Sequence, residues 1–189
     1  MIIKPRELID FLGVIEKLKC NTRHSWTSSG RHESVAEHSW RLTVMALLVA
    51  EDFPEIDNIR VLKMCLIHDF GEAITKDVPS FLKTQQDEER EDLAVAELLG
   101  QLPDSIASEF AELFSEMSEL STPEAKLFKA LDKMEAIISH NEAPIETWLP
   151  LEYEENQKYG AENVAHSDYL TKLREEIVKD TVRKIEDAR

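Results

Sequence analysis

Four residues, two histidines and two aspartates, have side chains that could together bind a divalent metal ion. His68 and Asp69 follow a strongly apolar stretch, although aspartate is rarely buried without a partner. His38 comes just after the pattern Ser34-Val-Ala-Glu37, and Asp132 interrupts an apolar helical face. Two imidazoles and two carboxylates suit Mn, Co, Fe, Ni or Zn, and such ligation without thiolate is more typical of catalytic than of structural sites.

Each of these residues also has an ordinary structural interpretation. His68 and Asp69 could end one helix and cap the following turn, because histidine suits the negative end of a helix and aspartate suits a cap. His38 alone could be a surface histidine, and Asp132 alone could form a salt bridge. Only their combination, drawn from three predicted helices that could converge on one core, favours a metal site.

Two further carboxylates follow the His-Asp pair. Glu72 lies four residues after His68, so the two side chains share a face if the helix continues. Beside a metal ion, Glu72 could orient a water molecule or take its proton, whereas its ordinary role would be a solvent-facing glutamate. Asp77 precedes Val78 and Pro79, and its ordinary role would be that of a turn residue ahead of a proline.

Residues 20–33 are predicted to be a polar loop that contains Gly30. Arg23 in this loop suits bidentate contact with a phosphate, and Trp26 offers a flat face to a sugar or base. The alternative is an exposed basic loop that balances nearby acidic residues.

Helices must position these residues, because apolar side chains recur at helical spacing and no alternating strand pattern is present. The helix over 58–69 is so apolar that we expect it to be buried nearly all round. The sequence therefore predicts an all-α, single-domain fold over 1–189, with seven or eight helices around a metal site. Its metal-binding core is expected at 33–135, with 167–187 as a flanking helix. The other predicted helices begin near Pro5 and Pro123 or cover 35–51, 86–99 and 105–120.

Composition limits the classes of function. The formal charge of −16 would repel nucleic acid and anionic membranes, so neither is an expected partner. A phosphate-binding enzyme with this charge needs local positive charge at its site. The sequence has no apolar run long enough for a membrane span, no secretory h-region and no glycine-rich phosphate loop. Its two cysteines fit no disulfide framework, and we expect a cytoplasmic protein.

Four short motifs occur in the order Glu33-Ser-Val-Ala-Glu-His38, His68-Asp-Phe-Gly-Glu72, Asp77-Val-Pro79 and Leu131-Asp132-Lys. In this order they resemble the HD-domain phosphohydrolase superfamily. Their spacing is most similar to the 5′-deoxynucleotidase branch, the YfbR-like and HD-domain-containing-protein-2-like group, over about residues 5–187. The resemblance implies an all-helical fold, a homodimer, and a divalent ion such as Mn, Co, Fe, Ni, Zn or Mg on His38, His68, Asp69 and Asp132.

The resemblance also implies roles for the remaining residues. Glu72 would be a general base or a ligand to a second metal, and Asp77 would protonate the leaving sugar oxygen or join that second site with Val78. Arg23 and Trp26 would contact phosphate and deoxyribose, although some family members have these two residues adjacent and here two residues separate them. The other substrate contacts implied are Asp69, Asp77, Pro79, Ser80 and Asp132.

The predicted function is hydrolysis of a phosphate monoester, most specifically a deoxyribonucleoside 5′-monophosphate. One alternative is another HD-type reaction on a nucleoside triphosphate, a cyclic dinucleotide or an alarmone. A second is a non-catalytic regulator that binds nucleotide or metal, which the presence of both Glu72 and Asp77 disfavours. The last is a helical scaffold, which would carry no metal ion.

Overall fold

The computed structural model describes residues 3–188, and most of them are α-helical. Two of its ten α-helices, α4 and α9, are single turns of four residues, which leaves eight longer helices. The predicted all-α class with seven or eight helices is confirmed. The elements are α1 Pro5–Ile15, β1 Thr22–Trp26, β2 His32–Ser34, α2 Val35–Val49, α3 Asn58–Ile67, α4 Glu72–Thr75, α5 Gln85–Leu99, α6 Asp104–Glu119, α7 Pro123–Glu142, α8 Glu152–Lys158, α9 Ala161–Val164 and α10 Asp168–Asp187.

The start of α2 is fixed by a reciprocal capping interaction. The Glu37 amide donates to Ser34 Oγ at 3.2 Å, and the Ser34 amide donates to Glu37 Oε2 at 2.8 Å. Two backbone N–H groups that the helix leaves free are satisfied in this way. His38 is therefore held in the first turn of α2, with its side chain fully buried.

Helices α2, α3 and α7 pack against one another and form the centre of the molecule. Burial of a large aliphatic side chain contributes roughly 1.5–3 kcal/mol, so this shared core holds the three helices at fixed positions. His38 lies in the first turn of α2, His68 directly follows α3, and Asp132 lies within α7. Fully buried members of the core include Leu42, Met64, Leu127, Leu131 and Met134.

Helix α3 is not buried nearly all round, and that prediction was wrong. Its side chains Val61, Met64 and Cys65 are buried, but Ile59 is 63% exposed and Leu66 is 50% exposed. The reason is geometric, since α2, α6 and α7 cover only part of the helix surface. Apolar content alone cannot reveal which side of a helix has a neighbour.

Residues 22–34 form an antiparallel hairpin, β1 and β2, where the sequence predicted only a loop. The turn contains Gly30, whose φ of +81° lies in the left-handed region that favours glycine. The strands have five and three residues, and the register shifts between Thr22 and Trp26. Such an irregularity removes the strict alternation by which a strand is recognised.

The segment after α7 contains two helices, α8 and α9, that the sequence did not predict. Both are short, and α8 is mostly polar, so neither produces a clear apolar period. Helix α10, predicted as a flank, lies beside α7 and adds Leu170 and Ile177 to the main core. Within the described residues 3–188, every helix is too short or too polar to cross a lipid bilayer.

Gly160 and Gly13 offer a matched test of this packing. Gly160 has a φ of +72°, and an added Cβ would lie 2.9 Å from Lys133 Cβ. We expect Gly160→Ala to lower the free energy of unfolding by about 1–2 kcal/mol, because an L-residue is strained in this conformation. Chemical denaturation monitored by circular dichroism measures this change.

Gly13 serves as the control because it lies in the exposed part of α1 with open space around it. Gly13→Ala should raise the free energy of unfolding by up to about 1 kcal/mol, since alanine favours helix more than glycine does. Equal effects of the two substitutions would contradict the described backbone at Gly160.

Candidate metal and nucleotide site

The four predicted metal ligands lie close together: His38 is on α2, Asp132 is on α7, and His68 and Asp69 directly follow α3. His38 Nε2 is 3.2 Å from Asp132 Oδ1, and His68 Nε2 is 3.9 Å from the same oxygen. His68 Nε2 is also 3.1 Å from Asp69 Oδ2. One ligand atom from each of His38, His68 and Asp69 lies within 4.8 Å of the other two.

Both imidazole rings are oriented by bonds at Nδ1. His68 Nδ1 lies 3.0 Å from the Cys65 carbonyl oxygen, to which it donates. His38 Nδ1 donates to a carboxylate oxygen of Glu135. Each ring therefore has its proton on Nδ1 when neutral, and each Nε2 keeps a free lone pair. This arrangement is typical of histidines that bind metal ions.

Three of the ligand atoms are buried without a hydrogen-bond partner among the described residues: His38 Nε2, His68 Nε2 and Asp69 Oδ2. An unpaired buried polar atom costs about 1–3 kcal/mol. A cation bound between these atoms would satisfy all three at once. The donor set of two imidazole nitrogens and two carboxylates also suits a divalent ion, so the residues fit the metal that the sequence predicts.

The charges at this cluster are balanced within the protein. Burial and Arg23 lower the pKa of His38, but Asp132 and Glu135 outweigh them and raise it to about 9. Without a cation, His38 Nε2 therefore carries a proton that faces Asp132 Oδ1, and a metal ion would take the place of that proton. The pKa of Asp132 is lowered despite burial, because Lys129 and the two imidazoles favour its ionised form. Asp69 likewise has a lowered pKa, chiefly because His68 offsets the effect of burial. Both aspartates are therefore anionic at neutral pH.

Glu135 contacts the predicted metal ligand His38, and the sequence did not reveal this contact. It is fully buried, and besides His38 it accepts a bond of 2.6 Å from Arg41 Nε. Arg41 also donates to Ser139 Oγ at 2.6 Å. Glu135 lies three residues after Asp132, on the same face of α7, which was the available signal. Its contact with His38 spans 97 residues of sequence, so local patterns could not identify it.

Arg23 extends from β1 into the site between two acidic groups. Its Nη1 is 3.6 Å from Asp69 Oδ2, and its Nε is 3.5 Å from Glu33 Oε2. Glu33 in turn accepts a bond of 3.1 Å from Ser139 Oγ. The guanidinium is therefore held beside a predicted metal ligand, where it could contact a phosphate oxygen.

Glu72 begins α4, and its side chain is only 6% exposed. Its Oε2 has no partner among the described residues, and Asn21 Nδ2 fixes its backbone by donating to the Glu72 carbonyl at 2.6 Å. Burial, together with repulsion from Asp69 and Asp77, raises the pKa of Glu72 to about 10. This carboxyl group therefore has a high affinity for a proton.

Asp77 follows a strained backbone position. Lys76 has a φ of +67° and a ψ of 161°, a combination that costs a residue with a side chain about 1–3 kcal/mol. Burial raises the pKa of Asp77, although the Arg23 guanidinium opposes this effect. The strain accompanies a carboxyl group that is held in the cavity and binds a proton more readily than usual.

One cavity of about 650 Å³ brings these residues together. Pro79 and Ser80 also line it, as do Val78 and two of the predicted metal ligands, whereas His38 and His68 lie deeper. Trp26 is not among the described lining residues, and its ring centroid is 4.0 Å from that of His32 on β2. The predicted site residues along this cavity are Arg23, Asp69, Glu72, Asp77, Val78, Pro79, Ser80 and Asp132.

An acidic cluster of three carboxyl groups shares Asp69 with the predicted metal ligands. Ligand atoms of Asp69, Glu72 and Glu91 lie within 4.8 Å of one another, and Lys83 forms an ion pair with Glu91. Glu91 was not predicted. The second metal site predicted at Glu72, Asp77 and Val78 stays a prediction.

Comparison with known proteins agrees with this geometry. A family model described as HD domain matches residues 15–174. The 5′-deoxynucleotidase HDDC2 of Homo sapiens is 32% identical over 141 residues, covering 72% of this chain and 68% of that protein. The 5′-deoxynucleotidase hdd1 of Schizosaccharomyces pombe is 33% identical over 142 residues, covering 71% of each chain.

Two solved structures also resemble this chain over most of its length. The crystal structure of a predicted metal-dependent phosphohydrolase from Magnetospirillum magnetotacticum has a TM-score of 0.83 and 31% sequence identity, and the match covers 97% of both chains. A conserved hypothetical protein from Pyrococcus furiosus has a TM-score of 0.73 and 34% identity, over 90% of this chain and 99% of that one. This chain belongs to the HD-domain family, in the branch that contains these 5′-deoxynucleotidases.

Proposed function

We propose that this enzyme is a metal-dependent phosphomonoesterase that removes phosphate from deoxyribonucleoside 5′-monophosphates. The observation that carries the proposal is the set of three buried, unpaired ligand atoms on His38, His68 and Asp69 beside a cavity lined by Arg23 and Glu72. The relatives named 5′-deoxynucleotidases support the choice of substrate.

In this proposal, His38, His68, Asp69 and Asp132 hold one divalent ion. When bound, such an ion supplies a Lewis acid and lowers the pKa of the attacking water. The mixed nitrogen and oxygen donors are compatible with Mn, Co, Fe, Ni, Zn or Mg.

The protein side chains divide the proton transfers between them. Glu72 would take a proton from the attacking water, and a cation bound beside it would favour the ionised carboxylate that this step requires. Asp77 gives a proton to the leaving 5′ oxygen, and its raised pKa favours the protonated form that this step requires. For each phosphorus–oxygen bond that is broken, Glu72 takes up one proton and Asp77 releases one, so the protons balance.

Four positive side chains line the cavity together with seven carboxyl groups, so a phosphate needs the proposed metal ion as well as these cations to bind against the overall charge of −16. Three lysines and Arg23 line the cavity, and Lys129 Nζ lies 2.9 Å from Asp132 Oδ2. Arg23 is the group proposed to contact the equatorial phosphate oxygens, where charge must be stabilised during transfer. The lysines are Lys83, Lys129 and Lys133.

The predicted homodimer and cytoplasmic location belong to the same proposal. Large apolar side chains on α2 and α3 are exposed, and a second copy of the chain is the partner proposed to cover them. They are Trp40, Leu47, Leu48, Ile59 and Leu66.

The first prediction concerns the metal and the reaction together. We expect the purified protein to bind about one divalent ion per chain and to release inorganic phosphate from deoxyribonucleoside 5′-monophosphates. Chelation should abolish this release, and added Mn²⁺ or Co²⁺ should restore it. Asp69→Asn should lose both metal and activity, because the amide cannot supply the anionic oxygen.

Asp10→Asn, which changes an exposed residue of α1, is the matched control and should behave as the wild type does. Release of pyrophosphate or triphosphate from longer nucleotides in place of phosphate would identify another HD-type reaction. A chain that keeps its metal but releases nothing would be a regulator, and a chain without metal would be a scaffold.

The second prediction concerns Glu72. Glu72→Gln should lower kcat by about 10²–10⁴-fold, since the amide cannot accept the proton of the attacking water. Metal content should remain near that of the wild type. Steady-state phosphate release and elemental analysis measure the two quantities, with the exposed Glu89→Gln of α5 as control. Full activity of Glu72→Gln would exclude Glu72 as the base.

The third prediction concerns Glu135, which orients His38. Glu135→Gln should weaken metal binding about 10–100-fold, as is typical when the partner of a ligating histidine is changed. Saturating metal should restore most of kcat, because Glu135 does not line the cavity in the described structure. Metal titration measures the effect, and Glu119→Gln on α6 is the control. Unchanged metal affinity would contradict this role.

A further inference from the structure

A second group of polar side chains lines the same cavity and takes no part in the proposed chemistry. His24 Nε2 donates to Glu152 Oε1 at 3.0 Å, and His140 Nδ1 lies 3.5 Å from that oxygen. The Glu152 side chain is only 4% exposed. Its other oxygen accepts a bond of 2.6 Å from the Leu149 amide, which fixes the carboxylate in place.

The state of His140 follows from its neighbours. Its Nδ1 is 3.0 Å from Asn156 Oδ1, which can only accept, so Nδ1 carries a proton. Burial lowers the pKa of His140, although Glu152 opposes this effect. With the proton of the neutral ring on Nδ1, His140 Nε2 is a hydrogen-bond acceptor. His24, which donates through Nε2, has Nδ1 as an acceptor in its neutral form.

Flat rings surround these polar atoms. The His24 ring meets that of Phe81 edge to face, with centroids 5.6 Å apart, and meets that of His140 in the same way at 6.0 Å. Phe81 is 41% exposed and lines the cavity together with Tyr159. Aromatic faces beside fixed hydrogen-bonding atoms are suited to a planar heterocycle.

The size of the cavity agrees with this interpretation. At about 650 Å³ it lies within the range of pockets that enclose small organic ligands, and it is larger than a phosphate group requires. His24 directly follows Arg23 in β1, so the two side chains connect the phosphate-binding region to the second group. A substrate that extends from one region to the other must carry a group beyond its phosphate.

We propose that His24, His140 and Phe81 form a subsite for the nucleobase of the substrate, and that Glu152 positions the two imidazoles. The proposal rests on the proposed function, because it assigns the part of the nucleotide that lies beyond the phosphate and sugar. A purely structural role for Glu152, tying α8 to β1 and α7, is the competing interpretation.

The test compares substrates with and without a base. Glu152→Gln and His24→Phe are assayed on the four common deoxyribonucleoside 5′-monophosphates and on 2-deoxyribose 5-phosphate. We expect KM for the nucleotides to rise about tenfold, equivalent to about 1.4 kcal/mol, with little change in kcat. The ratio of kcat/KM between nucleotide and sugar phosphate should fall by a similar factor. His166→Ala, at an exposed histidine, is the control.

Equal losses on both kinds of substrate would overturn the nucleobase subsite in favour of the structural role. Calorimetric binding of the four 2′-deoxynucleosides provides a second test that needs no hydrolysis. Binding to the wild type that both variants weaken supports the subsite, even if no substrate releases phosphate and the proposed function fails. Failure of the wild type to bind any nucleoside would overturn the subsite, even if phosphate release is normal.

Discussion

Two imidazole nitrogens and a carboxylate oxygen are buried beside one another without hydrogen-bond partners among the described residues, on His38, His68 and Asp69. Each unpaired atom costs about 1–3 kcal/mol, and anionic Asp132 lies within 3.2 Å of one of them. A cation bound between the three atoms would offset this cost. The packing of α2, α3 and α7 can be understood as the means of holding these atoms together.

Groups around the ligands determine which way the ligands face. The Cys65 carbonyl orients His68, and buried Glu135 orients His38. Arg41 compensates the charge of Glu135 and connects it to Ser139 on the next turn of α7. Because each imidazole is held at Nδ1, neither ring can turn its Nε2 away from the shared position. The site is therefore organised before any ion binds.

Local sequence was sufficient for some parts of this site and insufficient for others. The capping pattern before His38 predicted the start of α2, and the apolar run before His68 predicted α3. Glu135 could not be identified because its contact with His38 spans 97 residues. The contact between His24 and Glu152 spans 128 residues and was missed for the same reason. The hairpin over 22–34 was missed because its strands are short and irregular.

The central claim is that four side chains, on α2, on α7 and directly after α3, hold one divalent ion. Anomalous diffraction from crystals grown with Mn²⁺ tests it most directly, because the anomalous signal locates the ion independently of any assumed role. The account predicts one strong peak in contact with His38, His68, Asp69 and Asp132. A map with no peak there, or with its strongest peak away from these residues, would contradict the account.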